Sequence, residues 1–317
     1  MAGILISGSR GLIGSALRAA LESAGHETIG IDLRGRPEAA DDGDIRDVAL
    51  LGRRLDDCAG IVHLAAVSRV VWAQRRPALC WETNVTATHR LLDAAAAAGR
   101  RPWILFASSC QVYGEPDRLP VDEDSPLRPV NIFGRSKAEG ERIVLAAREA
   151  GLTTAIVRFA HLYGSTADHL DRVVPAFARA AALGGTLRVC GSDTMLDLTH
   201  VDDAVRGIVA VIEQLAADTR TLLPVHLVTG RGTTLGELAG LANAAAGRRA
   251  RILEAPPRSY DVARFVGDPS RARALLGWQA RIDIAAGVAR LVRDFAIEAG
   301  AAEEIPPAVL QRTSSPA

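Results

Sequence analysis

Lysine is almost missing from this chain. Of its 37 basic residues a single one, Lys137, is a lysine, and the others are arginines. Arginine serves as well on a solvated surface, but not where a compact ammonium must fit, because guanidinium is wider, planar and stiff. A lysine spared such replacement is a candidate for function. Net charge is missing too: 37 acidic residues balance the basic ones. No surplus of cations is left for nucleic-acid phosphates or an anionic membrane surface, so neither is expected as a partner. The four cysteines, Cys58, Cys80, Cys110 and Cys190, are widely spaced and form no C-x-x-C pair. They read as small buried hydrophobes in a reducing compartment, and no disulfide or metal site is expected. No apolar run reaches the ~18 residues of a membrane span. With the strand-like GILIS already at residues 3–7, no cleavable leader is expected. A soluble, cytoplasmic protein is expected. Tyrosine is limited to Tyr113, Tyr163 and Tyr260, which matters below.

What is present points to an α/β protein. The 317 residues, 48% of them hydrophobic, can bury a large core. Apolar runs at 3–7, 27–31, 60–66, 103–108 and 153–160 predict buried strands, and helix-forming stretches at 11–24, 72–98 and 134–150 separate them. Such alternation predicts a Rossmann-type, doubly wound parallel sheet. Beyond residue 165 the elements shorten: helices near 172–183, from Asp202, and near 234–246, 269–276 and 283–299, with strands near 186–190 and 224–228. We expect residues 1–165 to form a dinucleotide-binding domain. Residues 166–300 are expected to form mainly a smaller C-terminal substrate domain, with some elements returning to the sheet. Residues 301–317, aperiodic and holding three prolines, are expected to be a disordered tail.

Gly8, Gly11 and Gly14 stand between the first strand and the first helix, in GILISGSRGLIGSALRAAL. Glycines there allow a tight turn and let a pyrophosphate approach the backbone at the helix N-terminus. Further along come GDIRD (43–47), HLAA (63–66), TNVTATHRLLDAA (83–95), SSCQVYG (108–114), FGRSK (133–137), VRFAHLYG (157–164), HVDDAV (200–205) and LLGW (275–278). In this order they resemble the extended short-chain dehydrogenases/reductases, the group of the NAD-dependent epimerases and dehydratases. The resemblance implies that Gly8, Ser9, Arg10, Gly11, Leu12 and Ile13 form the pyrophosphate loop. It puts Asp44 and Ile45 beside the adenine, Leu64, Ala65 and Ala66 along the cofactor, and Lys137 on the nicotinamide ribose. It makes Ser109 a catalytic hydroxyl and sets Ser109, Gln111, Leu196 and Arg258 against the substrate. Asp32, ending the second strand, would favour the ribose of NAD(H). Arg10 and Arg34 would favour a 2′-phosphate, and the loop is similar to that of the GDP-fucose synthases, which use NADP. NADP(H) is therefore expected, with NAD(H) left open.

The departures from the family pattern shape the expected function. Four residues before Lys137, where the family keeps its proton-transferring tyrosine, stands Phe133. None of the three tyrosines has the spacing to replace it. The acid–base pair of the dehydratases is replaced by Cys110 and Gln111, and a phosphate-binding arginine by Leu196. His161 occupies a place usual for asparagine and is a candidate acid. These features suggest an NADPH-dependent ketoreductase on an aromatic polyketide carbonyl in antibiotic biosynthesis, similar to angucyclinone ketoreductases. A phenol beside the ketone would then supply the proton. The alternatives are a sugar-nucleotide epimerase or reductase with a displaced acid, and a non-catalytic NADP-binding sensor. A monomer or homodimer is expected.

Overall fold

The computed structural model describes residues 3–34, 43–55, 58–217, 222–258 and 262–300. The chain opens as β1 (Gly3–Ser7), α1 (Leu12–Ser23), β2 (Thr28–Ile31), α2 (Val48–Leu55) and β3 (Cys58–His63). Three helical pieces follow, α3 (Val70–Arg75), α4 (Pro77–Trp81) and α5 (Ala87–Ala97), with a π-helical turn, Glu82–Thr86, joining the last two. Next come β4 (Trp103–Ser109), α6 (Ile132–Glu149), β5 (Thr154–Phe159), β6 (His161–Tyr163), α7 (Val173–Ala182), β7 (Thr186–Cys190) and β8 (Met195–His200). The remainder is α8 (Val201–Ala216), β9 (Val225–Leu227), β10 (Gly232–Thr234), α9 (Leu235–Ala245), β11 (Arg251–Ala255), α10 (Ser270–Leu276) and α11 (Ile284–Glu298).

Six strands form one parallel sheet in the order β2-β1-β3-β4-β5-β9. Its strands are buried on both faces, which is why GILIS and TAIVRF read as mainly apolar runs. Leu17 and Leu21 of α1 pack with Ile208 and Val211 of α8 on one face. On the other, Leu51 of α2, Leu91 of α5 and Val144 of α6 pack against Leu5, Ile61 and Ile104. A further core gathers α7, α9 and α11 around β7 and β8. Two smaller sheets complete the fold, β10-β8-β6 and β11-β7. The order reverses at β1, whose neighbours are β2 and β3, and such a switch point opens a crevice at the strands' C-terminal ends.

Several sequence expectations need correction. The helix-forming stretch 72–98 is divided: Pro77 has no N–H to continue α3 and instead begins α4. Strand β3 stops at His63, so Leu64–Ala66 run beyond the sheet as a loop. The short elements α2, β6, β8, β10 and β11 were not anticipated. Cys58, Cys80 and Cys110 are buried free thiols, but Cys190 is only half-buried because it ends an edge strand. The tail 301–317 lies outside the described residues. Among those described, no helix is long and apolar enough to cross a membrane, and no His/Cys/Asp/Glu cluster suits a metal ion.

Candidate active site

A cleft of about 420 Å³ begins at the switch point and extends towards β7, β8 and α7. Its inner end is the glycine loop. Gly8 has φ 74°, which suits glycine, and a Cβ there would press on the Ala65 backbone nitrogen at 2.9 Å. Gly14 packs α1 onto the loop, since its Cβ would lie 2.1 Å from the Gly8 carbonyl oxygen. Leu12 and Ile13 line the cleft, and α1 begins with no side-chain cap and no acidic residue in its first turn. Uncapped N–H groups at the positive end of a helix suit an anion, so this end could hold a dinucleotide pyrophosphate.

The opposite wall is held by polar contacts from below. Ser7 Oγ accepts from the Ala65 amide at 3.2 Å and pairs with His63 Nδ1 at 2.7 Å. The other ring nitrogen of His63 meets Thr88 Oγ1 at 2.9 Å. His63 is thus a packed core residue, and burial pushes its pKa down to about 3. Asn84, carried by the π-helical turn, accepts from the Val67 amide (2.8 Å) and donates to Ser136 Oγ (2.9 Å), tying the loop after β3 to α6. Such turns often mark functional sites.

Helix α6 presents Phe133 and Lys137 to this cleft. Asn131 caps it by accepting from the Gly134 amide at 2.8 Å, and donates to Gln111 Oε1 at 2.8 Å. Gly134 is needed for close approach: a Cβ there would lie 2.3 Å from the Gln111 carbonyl oxygen. Phe133 is 7% exposed and packs with Ala73 and Cys80, against Val67, Val70 and Ile132. Lys137 is 5% exposed, and its Nζ donates to the Ala107 carbonyl at 2.7 Å. Burial pushes its pKa down to about 8. Ser109 caps the short 3₁₀ turn after β4 by accepting from the Gln111 amide at 3.2 Å. Cys110, in the place of the dehydratase carboxyl, has its thiol pushed up to about 12 by burial. His161 lines the cleft, but burial and then Arg172 push its pKa down to about 4, so it stays neutral at physiological pH.

Of the predicted cofactor residues, Gly8, Gly11, Leu12, Ile13, Arg34, Leu64, Ala66 and Lys137 line the cleft; Ser9, Arg10, Asp32, Asp44, Ile45 and Ala65 do not. Ser9 is buried. Asp32 has both carboxylate oxygens engaged, by the amides of Arg10 (2.9 Å) and Arg34 (2.8 Å). Arg10 Nη1 donates to the Arg34 carbonyl at 3.4 Å. Asp44 is bound by Arg46, which holds its carboxyl below the usual range, and Ile45 belongs to the core. The predicted substrate residues Ser109, Gln111, Leu196 and Arg258 all line the cleft. Leu196 is also core, adjoining the buried Asp197, which accepts from the amides of Thr229 and Gly230.

A polar clasp across the cleft was missed. Arg34 donates to His169 Nε2 at 2.6 Å, Arg69 pairs with Asp171, and Arg172 reaches Ser68 Oγ at 3.4 Å. The Trp72 and His169 rings meet nearly at right angles, with centroids 4.9 Å apart. Residues 165–172 lie outside any helix or strand, and no periodic signal marks them. Arg188 on β7 was missed for a related reason, since one exposed arginine in an edge strand resembles any other.

Comparison with known proteins agrees with this arrangement. Residues 4–222 match the model of the NAD dependent epimerase/dehydratase family. A UDP-glucose 4-epimerase from Mycolicibacterium smegmatis is 32% identical, over 92% of this chain and 97% of its own. A UDP-glucose 4-epimerase structure with UDP-glucose from Thermotoga maritima superposes with a TM-score of 0.86 at 26% identity, covering 94% of this chain and 99% of that one. A dTDP-glucose 4,6-dehydratase structure from Streptomyces venezuelae with NAD bound gives 0.84 at 30% identity, covering 94% and 98%. With its glycine loop at the switch point, its lysine on α6 and a matching model over most of its length, the chain belongs to the NAD dependent epimerase/dehydratase family.

Proposed function

We propose that this protein is an NAD(H)-dependent oxidoreductase acting on a nucleoside-diphosphate sugar, without a tyrosine at position 133. The observation that carries this reading is the charge of the cleft. Lys137, Arg34, Arg69, Arg172, Arg188 and Arg258 line it, against only Asp168 and Asp171. Those two carboxylates already pair with Arg172 and Arg69, whereas among the described residues no carboxylate pairs with Arg188. Surplus positive charge suits one anion at the glycine loop and a second beside β7. The UDP-glucose in the T. maritima structure, and the dTDP-glucose after which the S. venezuelae enzyme is named, favour the same class.

The fit to the dinucleotide rests on the uncapped start of α1, the backbone approach at Gly8, and Lys137. When bound, the nicotinamide exchanges a hydride with the substrate carbon. The protein's own work is to hold the sugar oxygen near Ser109 and to limit water with the clasp. NAD(H) fits better than the NADP(H) expected from sequence. The Asp32 carboxylate is not movable but pinned by two amides, and the Arg34 guanidinium is occupied by His169. A 2′-phosphate would meet a fixed negative charge.

The ketoreductase reading keeps one observation in its favour. Val70, Val71, Phe133, Val174, Phe177, Leu196 and Val262 give the cleft an apolar lining suited to a flat aromatic ketone. Calorimetric titration separates the two. The sugar reading expects UDP to bind at least ~10-fold tighter than uridine, with the difference lost in the double variant Arg188→Ala/Arg258→Ala. Equal binding of UDP and uridine, alongside binding of a hydroxyaryl ketone, would favour the second.

A further inference from the structure

Resting on the hydride-transfer reading above, we infer that Lys137 is the proton carrier of the reaction, its amine taking the proton from the substrate oxygen and its ammonium returning it. In the oxidising direction the substrate's C–H bond yields a hydride to the oxidised dinucleotide, and its O–H bond yields a proton to the Lys137 amine. A carbonyl, a reduced dinucleotide and an ammonium result, and reduction reverses every term.

The surroundings of Nζ are those of a proton carrier more than of a fixed charge. Among the described residues it makes one protein hydrogen bond, to the neutral Ala107 carbonyl, leaving two N–H bonds for ligand or solvent. It also lies 4.9 Å from the centre of the Phe106 ring and 6.0 Å from that of Phe133, which are weak partners for a cation. No carboxylate forms an ion pair with it among the described residues. Glu141, one turn further along α6, is engaged by Arg158 Nε (2.8 Å) and Nη2 (2.6 Å) and by Ser108. Cys80 of α4 is kept protonated by burial, and His63 of β3 is kept neutral. A buried ammonium with one neutral acceptor gives up its proton readily, in line with the lowered pKa of Lys137.

The other groups are poorly placed for this task. Tyr113 hydroxyl is occupied by His226 and Arg158, and burial raises its pKa. His161 is held neutral, the Cys110 thiol is too weak an acid, and a serine hydroxyl such as that of Ser109 can relay a proton but not store one. The composition now acquires a second reason: an arginine cannot be deprotonated, so it could not replace a lysine that must be.

The single lysine makes the test direct. Protein labelled with ¹³C,¹⁵N-lysine and saturated with NAD(H) shows one lysine spin system, whose titration is read from its ε-carbon shift. A midpoint near 8 is expected, and one above ~10, the ordinary lysine range, overturns the proposal. In turnover, Lys137→Arg, which keeps the cation but cannot release its proton, should lose ~10²–10³-fold. Lys137→Ala should be rescued by added alkylamines in proportion to their basicity. A Lys137→Arg enzyme within about threefold of wild type overturns the assignment, as does loss of turnover on Tyr260→Phe or His161→Ala with Lys137→Arg unaffected. If the titration midpoint is near 8 but no nucleotide sugar is turned over, the substrate reading fails and the lysine assignment stands.

Discussion

The Lys137 ammonium lies 6.0 Å from the centre of the Phe133 ring, one turn away on the same helix and in the same cleft. The aromatic ring of the family's tyrosine is therefore kept while its hydroxyl is gone. If the proton is carried by Lys137, restoring the hydroxyl adds little. Phe133→Tyr should change turnover by less than about threefold, measured with NAD(H) saturating. A gain of ~10²-fold, the size that general acid catalysis supplies, would contradict this.

The same desolvated lysine should weaken the fold. Its native pKa, about 8, lies below its ordinary 10.5, so between these values the unfolded chain binds more protons and stability rises with pH. At neutral pH the buried ammonium is a burden. Lys137→Met should stabilise the apo protein by roughly 1–3 kcal/mol at pH ~7 while abolishing turnover. Chemical denaturation at pH ~7 and ~10 checks it, the advantage shrinking at the higher pH.

The acid side follows from three buried imidazoles. Burial pushes His63 down to about 3, and His161 and His226 to about 4, from an ordinary 6.5. The native state holds them neutral, so their stabilising contribution is complete above pH ~6.5 and is lost as pH falls towards their native values. Tm should be level between pH ~7 and ~8 and drop steeply below pH ~6. His226→Asn should make that drop shallower, since one of the three buried imidazoles is gone.

Gly134 couples fold to chemistry. Gly134→Ala drives a Cβ to 2.3 Å from the Gln111 carbonyl, which is backbone and cannot rotate away. The first turn of α6 must shift, taking Phe133 and Lys137 with it. A loss of about 1–3 kcal/mol in stability is expected, with at least a ~10-fold fall in turnover. Unchanged kinetics in a destabilised variant would show that the site tolerates this shift.

Much of this was legible in sequence where local chemistry and periodicity agree. The glycine loop, the five apolar strands before residue 160 and Lys137 each carry a signal within a few residues. Elements whose reason lies elsewhere in the fold were not legible. Strand β8 is recognisable only through its pairing with β6 and β10, and its buried Asp197 through Thr229 and Gly230. The clasp of Arg34, Arg69 and Arg172 joins residues about a hundred positions or more apart. The proposed preference for NAD(H) over NADP(H) rests on one geometric fact: two amides pin the Asp32 carboxylate, which no count of nearby arginines reveals.

That fact can be tested by cofactor exchange. Asp32→Ala removes the fixed negative charge and should raise NADPH affinity relative to NADH by at least ~10-fold. An unaltered ratio, or a wild type that already prefers NADPH, would mean that Arg10 and Arg34 govern the pocket.

The central claim is hydride exchange between a nucleoside-diphosphate sugar and NAD without a tyrosine at position 133. UDP- and dTDP-hexoses deuterated at each ring carbinol carbon in turn, incubated with the protein and NAD⁺, test it most directly. The account predicts deuterium on the dinucleotide from one ring position of at least one sugar, in wild type and in Phe133→Leu alike. No transfer from any sugar, while a hydroxyaryl ketone is reduced with label from deuterated NADH, would contradict it.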